Sequence, residues 1–71
     1  MRIQVSHPEL VPEVLEYLQR QVHLIVEQVG PRELEVSQLG SMNARARRLD
    51  LERLLQAWRA THPHASVEIV D

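Results

Sequence analysis

Histidine side chains are the first candidates for chemistry in this sequence of 71 residues. His7, His62 and His64 lie beside Pro8 and Pro63, at the ends of segments that we predict to be strands. If the first and last strands are antiparallel neighbours, the three imidazoles gather at one end of the sheet. Neutral imidazoles suit zinc, nickel or copper, and clustered histidines can also act as a proton switch.

The spacing of these histidines matches no known metal-binding motif, and a three-ligand site also needs supporting side chains that the sequence does not reveal. The alternative is structural: His62 caps the end of a helix and the His-Pro pairs form turns. We therefore predict no metal and no cofactor, with His7, His62 and His64 as the ligands if a metal binds. His23, the fourth histidine, is predicted to be an exposed residue of an edge strand.

Arginine supplies all eight basic residues, and five of them lie between Ala44 and Thr61, together with only two acidic residues. This segment has a charge balance of +3, whereas the rest of the chain has a balance of −5. Arg45, Arg47 and Arg48 lie near the predicted start of a helix, where the helix dipole disfavours cations. Such a local conflict can mark a functional surface, here one that binds nucleic acid.

Two structural alternatives explain the same arginines. In the first, they form a solvated face with helical ion pairs, Arg48–Glu52 and Arg47–Asp50. In the second, the helix begins near Arg48, which places Asp50 and Glu52 in its favoured first turn. The acidic remainder of the chain and its few aromatic residues count against nucleic acid, whose binding would weaken steeply with salt.

An apolar minority on the same helix favours a protein partner instead. With Leu51 facing the core, Met42 and Leu49 point roughly away from it, beside Arg45 and Arg53. Methionine and arginine are enriched at protein interfaces, although single exposed apolar residues are ordinary. This outer face of the helix is the predicted surface for a partner.

Ile25 is a further candidate for association. If Leu24 and Val26 face the core, Ile25 lies on the open face of the sheet, in a strand that is expected at its edge. Edges of small sheets are common sites of self-association. The predicted partner-binding residues are therefore Met42, Arg45, Leu49, Arg53 and Ile25.

The elements that position these residues are read from hydrophobic periodicity and from proline and glycine. In chain order they are a strand at 2–6, a helix ending near residue 20, strands at 22–29 and 32–37 joined by Gly30-Pro31, a helix at about 43–61 and a strand at 65–70. Ser6 and Glu9 form a predicted capping box for the first helix. Because proline is tolerated only in the first turn, the regular helix either includes Pro12 there or begins at Pro12 after a turn.

The long helix is predicted to bury Ala44, Leu51, Leu54, Leu55 and Trp58 on one stripe. The order β-α-β-β-α-β then predicts an α+β fold of the ferredoxin-like type, as one domain over 1–71. This fold has a four-stranded antiparallel sheet in the order 4-1-3-2, with both helices on one face. The resemblance is architectural, and a widely used fold does not by itself specify a function.

The usual functions of this fold need residues that are missing here. The first loop has no cysteine pair for a heavy metal, and the outward positions of the central strands have no aromatic residues for stacking RNA bases. We recognise no catalytic constellation and predict that the protein is not an enzyme.

A chain of this length buries only about 60% of its unfolded surface, and without cysteine it has no disulfide to stabilise it. No apolar run or signal-peptide pattern suggests a membrane, so we expect a cytoplasmic protein. The sequence thus predicts a small interaction module that forms a homodimer, or binds another protein, through its sheet face or edge. Nucleic-acid binding by the arginine-rich helix and a histidine-based metal or pH site remain the alternatives.

Overall fold

The structure is a computed structural model and describes residues 1–40 and 43–70. It confirms a small α+β architecture with two α-helices and a four-stranded antiparallel sheet. The elements are β1 (Arg2–Val5), a 3-10 turn (Pro8–Leu10), α1 (Val11–Gln19), β2 (Leu24–Gln28), β3 (Glu33–Gln38), α2 (Ala44–Ala60) and β4 (Val67–Ile69). The strands lie in the order β2-β3-β1-β4, so β2 and β4 form the two edges of the sheet.

Alternation along the strands places one row of side chains under the helices. In β1, for example, Ile3 and Val5 are fully buried, whereas Arg2 is exposed on the other face of the sheet. The two helices add their own apolar stripes to the same cluster. The buried core consists of Ile3, Val5, Val11, Val14, Leu18, Leu24, Val26, Leu34, Val36, Leu51, Leu55, Trp58, Ala65 and Val67.

The start of α1 differs from the predicted capping box. The hydroxyl of Ser6 accepts from the backbone N–H of Ser66 at 2.8 Å and contacts Nδ1 of His7 at 2.7 Å, so it does not cap the helix. A 3-10 turn precedes the regular helix, which begins at Val11. Pro12 therefore lies in the first turn, where its missing N–H has no helical acceptor to lose.

The start of α2 excludes the alternative in which the helix begins near Arg48. Asn43 is the N-cap, and its side-chain oxygen accepts from the backbone N–H of Ala46 at 2.8 Å. This cap stabilises a helix start that is rich in arginine. Ala44 is exposed, so its predicted place in the core stripe is wrong, because the first turn of α2 extends beyond the sheet-facing core.

Both edge strands are shorter than predicted because a turn occupies the residues before each of them. A turn at the end of α1 has Leu24 donating its N–H to the carbonyl of Gln21 at 3.1 Å, which leaves Val22 outside β2 and 94% exposed. Similarly, the N–H of Ala65 donates to the carbonyl of His62 at 3.0 Å, and β4 begins only at Val67.

Substitutions at two leucines of α2 test this placement of the core. Leu51→Ala should lower the free energy of unfolding by about 2–5 kcal/mol, because Leu51 is fully buried and the change leaves a cavity. Leu49→Ala, two residues away on the exposed face, should change it by no more than about 0.5 kcal/mol. Urea unfolding followed by circular dichroism measures both, and equal losses would contradict the assignment of the buried face.

Candidate interaction surface

The open face of the sheet lies on the side away from the helices. Across β1, β3 and β2, Arg2 is opposite Glu35 and Glu35 is opposite Glu27. A guanidinium nitrogen of Arg2 also lies 3.7 Å from Glu33. The N-terminal ammonium lies 3.6 Å from Glu35, so three carboxylates face two cationic groups and the centre of the face keeps a small negative charge.

Exposed apolar side chains lie toward the β2 side of this open face. Ile25 is 54% exposed and Leu39 is 55% exposed. Ile25 is opposite Ser37, and the ladder continues past β3 where Leu39 donates its N–H to the carbonyl of His23 at 2.8 Å. Ile25 and Leu39 are therefore diagonal neighbours, about 7–8 Å apart in such a ladder. The structure places Ile25 on an edge strand and on the open face.

The free edge of β2 is defined by the hydrogen bonds to β3. The N–H of Val29 donates to Glu33 at 3.0 Å, and Leu39 pairs with His23. Since paired residues alternate in an antiparallel ladder, the odd-numbered residues of β2 direct their main-chain groups to β3. Val26 and Gln28 consequently direct their N–H and C=O groups away from the sheet, where a further strand could bind them.

The other edge of the sheet is formed by β4 and is covered by a side chain. The N–H of Ser6 donates to the carbonyl of Ser66, and the N–H of Val70 donates to the carbonyl of Arg2, so the even-numbered residues beside β1 bond to it. Because paired residues alternate, the main-chain groups of Val67 point outward from β4. The carbonyl of Val67 accepts a hydrogen bond from a guanidinium nitrogen of Arg59 at 2.6 Å. A charged side chain from α2 thus covers the β4 edge, which is a common way to prevent strand addition.

The predicted surface on α2 lies on the opposite side of the molecule from Ile25. Arg45, Leu49 and Arg53 are all exposed on this helix, and Leu49 is 47% exposed. Met42, the fourth predicted residue of this surface, lies outside the described residues. The helix surface and Ile25 therefore form two separate surfaces, since the helices and the open sheet face are on opposite sides of the core.

The ion pairs of α2 agree only in part with the prediction. Arg48 lies 3.3 Å from Glu52, as the helical spacing predicts. The carboxylate of Asp50, in contrast, is engaged by residues other than Arg47. It lies 2.7 Å from Nε2 of His23 and accepts from the side-chain amide of Gln38 at 3.1 Å. His23 is half-buried in this contact and is not the freely exposed edge residue that was predicted.

The three histidines near the sheet end do not form one cluster. The rings of His7 and His64 meet edge to face, with centroids 6.1 Å apart. His62 instead stacks on the indole of Trp58, with centroids 4.0 Å apart. Within residues 1–40 and 43–70, no group of three or more histidine and carboxylate side chains is arranged to hold a metal ion.

His62 joins the end of α2 to the start of α1. Its Nδ1 lies 3.0 Å from the carbonyl oxygen of Trp58, and its Nε2 lies 2.9 Å from a carboxylate oxygen of Glu13. Both partners are acceptors, so both ring nitrogens must carry protons for the two bonds to form. The carbonyl of Trp58 and then the carboxylate of Glu13 accordingly raise the pKa of His62 above its ordinary value of 6.5.

A groove of about 390 Å³ lies beside this contact, between the two helices. Its lining includes Glu13, Tyr17, Trp58 and His62. Tyr17 uses its hydroxyl to donate to the carbonyl of Leu54 at 2.8 Å, and both nitrogens of His62 are engaged. These side chains therefore connect the two helices and leave no nitrogen of His62 available as a general base.

None of the helices in the described ranges is long and apolar enough to cross a membrane. Comparisons with protein-family models, with curated proteins and with solved structures found no match. What the protein does is therefore inferred from its own surfaces, chiefly the β2 edge and the open sheet face.

The contact between His62 and Glu13 predicts a pH dependence of stability. Because the folded protein raises the pKa of His62, this stabilisation is complete below pH 6.5 and is lost as the pH rises through the raised value. Glu13→Gln should lower the pKa of His62 and reduce that pH dependence, as measured by NMR titration of the ring and by urea unfolding at several pH values.

Glu9→Gln is the matched control, since Glu9 is an exposed acid that precedes α1 and makes no contact with His62 among the described hydrogen bonds and ion pairs. An unchanged pKa of His62 in Glu13→Gln would show that the carboxylate of Glu13 does not stabilise the protonated imidazole. A similar fall in both variants would indicate a general charge effect instead.

Proposed function

We propose that residues 1–71 form one ferredoxin-like domain that acts as a non-enzymatic interaction module. Its element order and the strand order β2-β3-β1-β4 support the ferredoxin-like assignment. The module associates with a second copy of itself through the β2 edge and the adjoining part of the open sheet face. The observation that carries this proposal is the difference between the two edges: Arg59 covers β4, whereas β2 is flanked by exposed apolar side chains.

The size of the domain supports association. A core of this size rarely supplies more than about 3–5 kcal/mol, and small domains without disulfides gain from burying surface against a partner. Val22, Ile25 and Leu39 are 94%, 54% and 55% exposed, and all three lie in or beside the β2–β3 hairpin. Their burial in a dimer would remove apolar surface from water.

The outer face of α2 provides a second surface for a different protein. Arg45, Leu49 and Arg53 offer a partly apolar patch surrounded by guanidinium groups, which suits a partner with acidic and apolar side chains. Because this patch lies across the core from β2, a dimer that pairs its β2 strands would leave both copies of it accessible. Nucleic acid is the alternative ligand of the same arginines, and its binding would weaken steeply with salt.

Two glutamate substitutions on the open face test the proposed self-association. Ile25→Glu should weaken dimerisation because it places a carboxylate in the apolar surface beside the β2 edge. Val70→Glu is the matched control, since Val70 is also exposed, at 46%, but lies beyond β4 at the other edge. Light scattering over a wide range of protein concentration measures the molar mass of each variant.

The expected result is a dimer for the unsubstituted protein and for Val70→Glu, with Ile25→Glu shifted toward monomer. A molar mass of one chain for the unsubstituted protein at every concentration would refute self-association. Equal weakening by both substitutions would assign the interface to the whole sheet face instead of the β2 side.

A further inference from the structure

We infer that two copies of the chain pair their β2 strands antiparallel, with the twofold axis passing through Val26. The two four-stranded sheets then join into one continuous sheet. This inference rests on the proposed self-association and specifies its register. The main-chain donors and acceptors on the β2 edge and the charges along the strand select this register.

The outward main-chain donors of β2 are few. Val26 and Gln28 direct their N–H groups to the free edge, as the ladder with β3 requires. The N–H of Leu24 has the same direction along the strand, but it donates to the carbonyl of Gln21 at 3.1 Å. A partner strand must therefore offer acceptors to Val26 and Gln28 and needs none for Leu24.

An axis through Val26 meets this requirement. The N–H of Val26 then donates to the carbonyl of the partner's Val26, and the N–H of Gln28 donates to the carbonyl of the partner's Leu24. The same bonds form in reverse by symmetry, as an isologous interface demands. Both free outward donors of each copy are used. The reciprocal bond from the N–H of Leu24 to the carbonyl of the partner's Gln28 does not form, because that N–H donates to Gln21.

Neighbouring registers conflict with contacts or charges already described. An axis through Glu27 would set two carboxylates directly opposite each other, which is destabilising. An axis through Leu24 or Ile25 would set the outward N–H of Gln28 opposite the partner's Arg20 or the partner's Val22, and both of these residues lie outside β2. An axis through Gln28 would require the carbonyl of Gly30, which accepts from the side-chain amide of Gln28 at 3.0 Å.

The register also matches the two faces of the sheet. On the open face, Ile25 lies opposite the partner's Glu27, so the exposed isoleucine contacts the aliphatic part of that side chain and the carboxylates stay apart. On the helix face, the buried Val26 lies opposite the partner's Val26, so the two apolar cores meet at the axis. Leu24 lies opposite the partner's Gln28, whose exposed side chain marks the border of this apolar contact.

Cysteine cross-linking tests the register, because the natural chain contains no cysteine. In the inferred pairing, Ile25 and the partner's Glu27 form a non-hydrogen-bonded pair, whose Cα atoms are about 4.5 Å apart. This separation lies within the range of about 4.4–6.8 Å that disulfides span. An oxidised mixture of Ile25→Cys and Glu27→Cys should therefore give a disulfide-linked dimer containing one copy of each variant.

Each variant oxidised alone should give little of that species, and Ser37→Cys, which lies on β3 opposite Ile25, should give little in any mixture. Mass spectrometry identifies the linked peptides. Efficient cross-linking of Ile25→Cys alone, or of Glu27→Cys alone, would place the axis at that residue and overturn the Val26 register.

A separate measurement distinguishes failure of the register from failure of self-association. If light scattering shows a dimer of the unsubstituted chain but the mixture gives no cross-link, the copies meet elsewhere and the register is wrong. If the unsubstituted chain is monomeric at every concentration, the proposed dimer itself fails. A β2 edge that binds an extended segment of a different protein would give this result.

Discussion

One constraint governs this molecule: its sheet has two faces, and the helices of residues 1–40 and 43–70 cover only one of them. The alternation of side chains along each strand places residues such as Ile3, Leu34 and Val36 in the dry layer. The intervening residues must face solvent, and most are charged or polar. The exposed Ile25 and Leu39 depart from that pattern and form an apolar area on the open face near β2, where the association is proposed.

The same constraint explains the importance of the two edges. An open sheet always ends in strands with unpaired main-chain groups, and proteins commonly cover such edges with charged side chains. Here, the helix that fills the core also provides Arg59, whose guanidinium reaches the carbonyl of Val67 on β4. The turn after α1 engages Leu24 but leaves Val26 and Gln28 directed outward on β2. Core packing, edge protection and proposed association thus follow from one arrangement of elements.

The sequence was sufficient for features that depend on local pattern. Strand alternation, the Gly30-Pro31 hairpin and the long amphipathic helix predicted the elements and most of the core, including Leu51 and Trp58. It was insufficient for contacts between residues far apart in the chain. His62 with Glu13 and Arg59 with Val67 leave no signature in spacing, because the tertiary fold alone brings the partners together. The predicted capping box failed because the hydroxyl of Ser6 accepts from the backbone N–H of Ser66, the residue before β4.

Amide hydrogen exchange of β2, followed by NMR as the protein concentration is raised, tests the central claim most directly. The N–H groups of Ile25 and Glu27 face β3 and should be protected at every concentration at which the chain is folded. Those of Val26 and Gln28 should exchange rapidly in dilute solution and become protected as the dimer forms. Rapid exchange of Val26 and Gln28 at all concentrations, beside protected Ile25 and Glu27, would contradict pairing at this edge.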